Sequence, residues 1–117
     1  VAYLHAHGVK AYVTLNTLVF DDELAAAEAA VRACAAAAVD AVIVQDLGMA
    51  RLVRSVAPTL PIHASTQMTC TDASSVELAA ELGARRVVVA RELSLADLEA
   101  IRARTAVELE VFVHGAL

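Results

Sequence analysis

Glu108, Glu110 and His114 bring two carboxylates and an imidazole, the groups of acid–base chemistry, into one short stretch near the end of the chain. In an extended segment successive side chains alternate faces, so Glu108, Glu110, Phe112 and His114 share one side and Leu109, Val111 and Val113 the other. A strand covered on both faces is normally apolar throughout, so a polar face calls for a function or a set of partners. A carboxylate held inside a fold must find a cation, gain hydrogen-bond donors or take up a proton. For Glu110 the candidate partners are Arg91 and His63. His114, just before Gly115, reads as a general base, a ligand or a turn residue.

Other polar residues stand where apolar stretches end: Asn16, Asp46, Ser65 with Gln67, and Arg91 with Glu92. Asn16, Asp46, Ser65 and Gln67 are candidates for substrate contact. Glu110, His114, Arg91 and Glu92 are the catalytic candidates, with Arg91 an anion clamp or the partner of Glu110. Arg91 and Glu92 also read as a solvated loop pair. Cys70 follows Gln67 in the same loop, but no base lies near it in sequence, so it reads as a bystander thiol. Cys34 sits in an alanine-rich run and reads as a small core residue. Two cysteines so far apart suggest neither a disulfide framework nor a metal site, and no metal ligand is assigned.

These residues need elements to position them. Lys10 to Asn16, Ala41 to Val44, Ile62 to Ala64, Arg86 to Ala90 and the stretch from Glu108 read as strands. Between them lie helical patterns: an alanine-rich run to about Ala38, opened by Asp21, Asp22 and Glu23; residues 48–57, stopped by Pro58 and Pro61; a helix capped by Asp72 and closed at Gly83; and one opened by Ser94 and Asp97 as a capping box, running to about Arg104. Strand and helix alternate throughout, which is α/β architecture with a parallel sheet. No glycine-rich phosphate loop is present, as a doubly wound sheet would usually carry, whereas every strand ends in polar residues, as barrel enzymes require. The expectation is a single partial (β/α)₈ barrel domain over residues 1–117, about five strands of eight, truncated at both ends. If the more apolar strand faces meet the helices, Tyr12, Thr14, Asn16, His63, Ser65, Gln67, Glu108, Glu110, Phe112 and His114 line the interior. The alternative is that these side chains satisfy one another as a hydrogen-bonded network with no ligand.

The composition is 59% hydrophobic with 3% aromatic, ample for a core and unlike a disordered chain. A formal net charge of −5 gives no sequence-independent attraction to nucleic-acid phosphates. No apolar run reaches the roughly 18 residues of a membrane span, and the expected compartment is the cytoplasm.

The strings AYVTLNTLVFDDEL (11–24), DAVIVQDLG (40–48), PIHASTQM (61–68), RRVVVAREL (85–93) and ELEVFVHGAL (108–117) resemble, in that order and nearly that spacing, the collagenase-like peptidase family, peptidase family U32. The last is similar to the start of a family signature that would take in Glu110, Phe112, Gly115, Ala116 and Leu117 and continue into a cysteine. The resemblance implies an iron-sulfur cluster in a full-length parent, with ligands outside this chain. It implies an enzyme that hydroxylates tRNA, rRNA or a ubiquinone precursor without oxygen, acting on RNA or a small molecule. The family name implies instead a collagenase-like protease with a peptide substrate. A non-catalytic barrel binding a small anion or a partner is the remaining expectation.

Overall fold

The structure, a computed structural model, describes residues 1–114. Helix α1 (Ala2–Ala6) leads into strand β1 (Tyr12–Leu15), then α2 (Leu24–Ala36), β2 (Ala41–Val44), α3 (Leu47–Val56), β3 (Ile62–Ala64), α4 (Ala73–Glu81), β4 (Ala84–Val88), α5 (Leu95–Arg102) and β5 (Glu108–Glu110). All neighbouring strands are parallel and the sheet order follows the chain, β1-β2-β3-β4-β5. That unbroken order is the barrel pattern rather than the reversal of a doubly wound sheet.

Local chemistry starts the helices where the sequence places them. Asp46 accepts the amide of Met49 to cap α3, Asp72 caps α4 through the amide of Ser75, and Ser94 and Asp97 form a reciprocal capping box at α5. Each such cap satisfies amides that have no partner within the helix, and losing one typically costs about 1 kcal/mol. Asp40 holds the entrance to β2, accepting from the backbone of Ala11 at 2.7 Å and from His5 at 2.8 Å.

One face of the sheet packs under the helices. Val42 and Val44 of β2, Ile62 and Ala64 of β3, and Val87 with Val89 at β4 join Val31, Val53, Val76 and Ile101 from the helices in one buried cluster. Val31, Val53 and Val76 are fully buried, and each contributes roughly 1.5 kcal/mol or more by leaving water.

The opposite face is concave. In register, Thr14 stands beside Ile43, Ile43 beside His63, His63 beside Arg86 and Arg86 beside Glu108. Three strand spacings would separate β1 from β4 by about 14 Å in a flat sheet. Yet the Arg86 guanidinium comes within 5.9 Å of the Tyr12 ring centre, which requires the sheet to curl with this face inside. A bulge helps: the β3–β4 register slips between Ile62 and His63, so that Ala84 pairs with Ile62 but Arg86 with His63. The extra residue, Arg85, leaves Ala84 under the helices and turns Arg86 inward.

Three strands differ in their bounds from the sequence reading. β1 is shorter than Lys10 to Asn16, and β4 runs Ala84–Val88 rather than from Arg86 to Ala90. β5 ends at Glu110, so Phe112 and His114 lie beyond it. Val89 donates to the carbonyl of Glu110, and the next amide, Ala90, on the opposite side of the strand, donates to the carbonyl of Cys70. The end of β4 is thus tied both to β5 and to the loop after β3. His114 is exposed, and strand alternation assigns it no face. Gly115, Ala116 and Leu117 of the motif lie outside the described residues. No helix among the described residues is long and apolar enough to cross a membrane.

Candidate functional site

The concave face holds two groups of polar side chains at different depths. The deeper one centres on Arg86. Its Nη2 donates to Glu108 at 2.5 Å and its Nη1 to Glu110 at 3.1 Å. The Tyr12 ring meets His63 edge-on at 4.9 Å between centroids. β2 runs between them, and Ala41, in register with Tyr12, presents only a methyl group there.

The electrostatics of this group are fixed by contact. The Arg86 guanidinium holds the Glu108 carboxyl below its usual range, and the same bond raises Arg86 further. Burial, reinforced by the Arg86 charge, pushes His63 down and favours the neutral imidazole. These groups are suited to holding charge in place rather than exchanging protons. Glu110 therefore meets Arg86, a residue the sequence reading left without a role. Its signal was available, because two arginines beside a buried valine run imply a partner for one of them. The bulge hid which one faced inward.

The shallower group lies at the C-terminal ends of the strands, where barrel enzymes carry their chemistry. The Asn16 side-chain amide donates to Gln67 Oε1 at 2.8 Å, joining the ends of β1 and β3. Gln45, at the end of β2, donates to the Asn16 carbonyl at 2.8 Å. Gln45 was also missed: alternation from Ala41 and Ile43 aims it inward, whereas its neighbour Asp46 has its carboxylate on the α3 amide of Met49 at 2.8 Å. Ser65 is buried, and its hydroxyl accepts from the backbone of Gln67, opening the turn Thr66–Met68. Thr69 closes that turn with φ of 58°, a strained conformation for a β-branched residue. Arg91 and Glu92 are exposed in the turn after β4, and the Arg91 guanidinium lies 5.7 Å from the Phe112 ring centre.

Of the interior set expected from sequence, the structure brings Tyr12, His63, Glu108 and Glu110 together around Arg86, and Asn16 to Gln67. Leu109 and Val111 line an open groove against Leu95, Leu98 and Arg102 of α5, on the outer side. The rim offers amide donors and acceptors, a cation and an exposed aromatic ring. It does not offer a cysteine nucleophile: the Cys70 thiol is 1% exposed, bonded to the Ser75 carbonyl, and pushed up by burial. Among the described residues no group of three or more His, Cys, Asp or Glu is placed to hold a metal ion. Cys34, buried in α2 with its thiol also raised, does not combine with Cys70 into a cluster site. The described residues do not fit an iron-sulfur cluster.

Comparison with known proteins adds the following. A model described as peptidase family U32 matches residues 1–117. A 23S rRNA 5-hydroxycytidine synthase from Escherichia coli is 38% identical over 117 residues, covering 100% of this chain and 18% of that protein. A tRNA hydroxylation protein P from Helicobacter pylori is 38% identical over 116 residues, covering 98% and 28%. An uncharacterized protease from Methanocaldococcus jannaschii is 36% identical over 122 residues, covering 100% and 29%. The chain thus spans less than a third of the length of these relatives. A solved structure of a U32 peptidase superposes with a TM-score of 0.80 at 20% identity, over 94% of this chain and 48% of that one, a likeness of fold.

Proposed function

Given that this chain belongs to peptidase family U32, we propose that it forms part of the substrate-binding barrel of an enzyme that hydroxylates a pyrimidine base in tRNA or rRNA. The observation that carries this reading is identity of 38% along the whole chain to proteins named for those modifications, one acting on rRNA and one on tRNA. Those names also favour RNA over a ubiquinone precursor as the substrate.

The rim chemistry supports it. Amide side chains read the donor and acceptor edge of an unpaired base, and Asn16, Gln45 and Gln67 supply both kinds of group where the strands end. Ser65 holds the Gln67 turn in place. Asp46, Arg91, Glu92, Glu110 and His114 complete the proposed lining, with Glu110 held by Arg86. In this reading the iron-sulfur cluster implied by the family resemblance takes its ligands outside these residues, and the protein works in the cytoplasm.

A second reading, hydrolysis of collagen-like peptides, is favoured by the family's name and by the archaeal relative named as a protease. Mass spectrometry of RNA from a strain lacking the gene decides between them. Loss of one hydroxypyrimidine, restored by the full-length gene, is the expected result. Unchanged RNA together with gelatin cleavage by the purified full-length protein would favour the peptidase.

A further inference from the structure

Thr69 stands at φ of 58° and ψ of 48°, in the left-handed region, where it closes the turn Thr66–Met68 after β3. A β-branched residue is strained there. Ala38 shares the conformation, but it follows the last turn of α2, where helices commonly end in this way. Thr69 follows no such helix.

The turn is fixed at both ends by strands of this chain that flank it. The buried Ser65 donates its amide to the Val44 carbonyl of β2 at 2.7 Å, and the carbonyl of the buried Cys70 accepts the amide of Ala90, just past β4, at 3.0 Å. Strain of this kind persists where the surroundings impose it. These anchors account for the conformation at residue 69 but not for threonine, since glycine adopts it at no steric cost.

The hydroxyl supplies a reason for the residue type. It donates to the Gln67 carbonyl at 3.3 Å, while the Ser65 hydroxyl accepts from the Gln67 amide, also at 3.3 Å. Gln67 is thus held by both of its backbone polar groups. Its side chain reaches across the end of β2 to accept from Asn16 at 2.8 Å, and Gln45 of that strand's end holds Asn16 by its carbonyl. The Thr69 hydroxyl therefore bears on the placement of the Gln67 amide.

We propose that Thr69 is a positioning residue, kept in a strained backbone so that its hydroxyl fixes Gln67, and with it the amide pair with Asn16, against the edge of the substrate base. The inference rests on the RNA reading above and adds to it the residue that sets how firmly that edge is read. Gln67 meets the base, and Thr69 acts through Gln67.

The test returns full-length variants to a strain lacking the gene, at an expression level where wild type restores only part of the hydroxypyrimidine, and measures that base by mass spectrometry of the RNA. The purified full-length proteins are melted alongside. Thr69→Gly removes both the strain and the hydroxyl, so it raises the melting temperature by about 1 to 2 °C while lowering hydroxylation about 2- to 10-fold, the worth of one ordinary hydrogen bond. Thr69→Ser keeps the hydroxyl and holds the wild-type level. Gln67→Ala loses at least as much as Thr69→Gly, and adding Thr69→Gly to it loses nothing further, as coupled residues require. Wild-type hydroxylation in Thr69→Gly overturns the role. So does a further loss in the double variant, or a lower melting temperature in Thr69→Gly, which would mean that the threonine serves the fold. A wild-type protein that restores no hydroxypyrimidine defeats the RNA reading itself, whereas full restoration by wild type and Thr69→Gly alike defeats only the role of Thr69.

Discussion

Arg86 and Tyr12 stand on strands three positions apart, and the guanidinium of one nevertheless lies 5.9 Å from the ring centre of the other. This contact across the hollow of the sheet ties β1 to β4, while the bonds to Glu108 and Glu110 tie β4 to β5. Arg86 thus bridges the curled sheet from one edge strand to the other.

Replacing Arg86 with Met in the full-length protein should therefore lower stability by about 1 to 2 kcal/mol. The figure combines two partly exposed ion pairs, each worth up to about 1 kcal/mol, with one cation–π contact of similar size. Denaturant unfolding measures the loss. The same variant should raise the pKa of His63, since the Arg86 charge is one of the causes that lowers it. Imidazole titration by NMR reads that directly.

His63 makes stability depend on pH in a stated direction. Its folded pKa lies below the ordinary 6.5, so the unfolded chain binds the proton more readily. The stabilisation is present above pH 6.5 and is lost as pH falls through the lower folded value. His63→Gln should flatten the decline of stability below pH 6.5 relative to wild type. Equal slopes in the two proteins, measured as melting temperature against pH, would contradict this.

Asp46 offers a test that separates capping from substrate contact. Asn caps a helix as well as Asp does, so Asp46→Asn should leave stability nearly unchanged, while Asp46→Ala should cost about 1 kcal/mol. If the negative charge also meets substrate, Asp46→Asn will lose activity at wild-type stability. RNA hydroxylation assayed beside the melting temperature distinguishes the two roles.

Two backbone positions should respond in opposite senses. Gly83 has φ of 103°, and a Cβ there would approach the Arg54 side chain to 2.4 Å, so Gly83→Ala should destabilise by about 1 to 3 kcal/mol. Ala38 sits at φ of 54° after α2, in the left-handed region where alanine is strained. Ala38→Gly should gain up to about 1 kcal/mol, the relief outweighing the added freedom of the unfolded chain. Thermal unfolding of both variants checks the pair.

Much of this arrangement could be read from the residues alone, and where reading failed the cause is local. Ala41 to Val44 and Ile62 to Ala64 are strands with the expected bounds because the first is an apolar, mostly β-branched run that stops at Gln45 and Asp46, and the second is held between Pro61 and the polar Ser65-Thr66-Gln67. The alternation of Glu108, Leu109 and Glu110 placed the carboxylates inside and the leucine against the core. Arg86 escaped because one bulged residue reverses the alternation before it, and no pattern within β4 announces that. Gln45 was passed over for Asp46 because both are polar at a strand end, and only the cap geometry shows which is already engaged. β5 was read as too long because its own sequence keeps alternating past Glu110, where the strand ends.

The ion pairs around Arg86 also bear on how this side of the sheet meets water. Glu108 and Glu110 are exposed on β5, and with Arg86 they set charge along it. Charged side chains on a strand oppose the flat, edge-to-edge pairing by which sheets stick to one another. The contacts that tie β4 to β5 therefore also make this strand a poor template for a second copy of the chain.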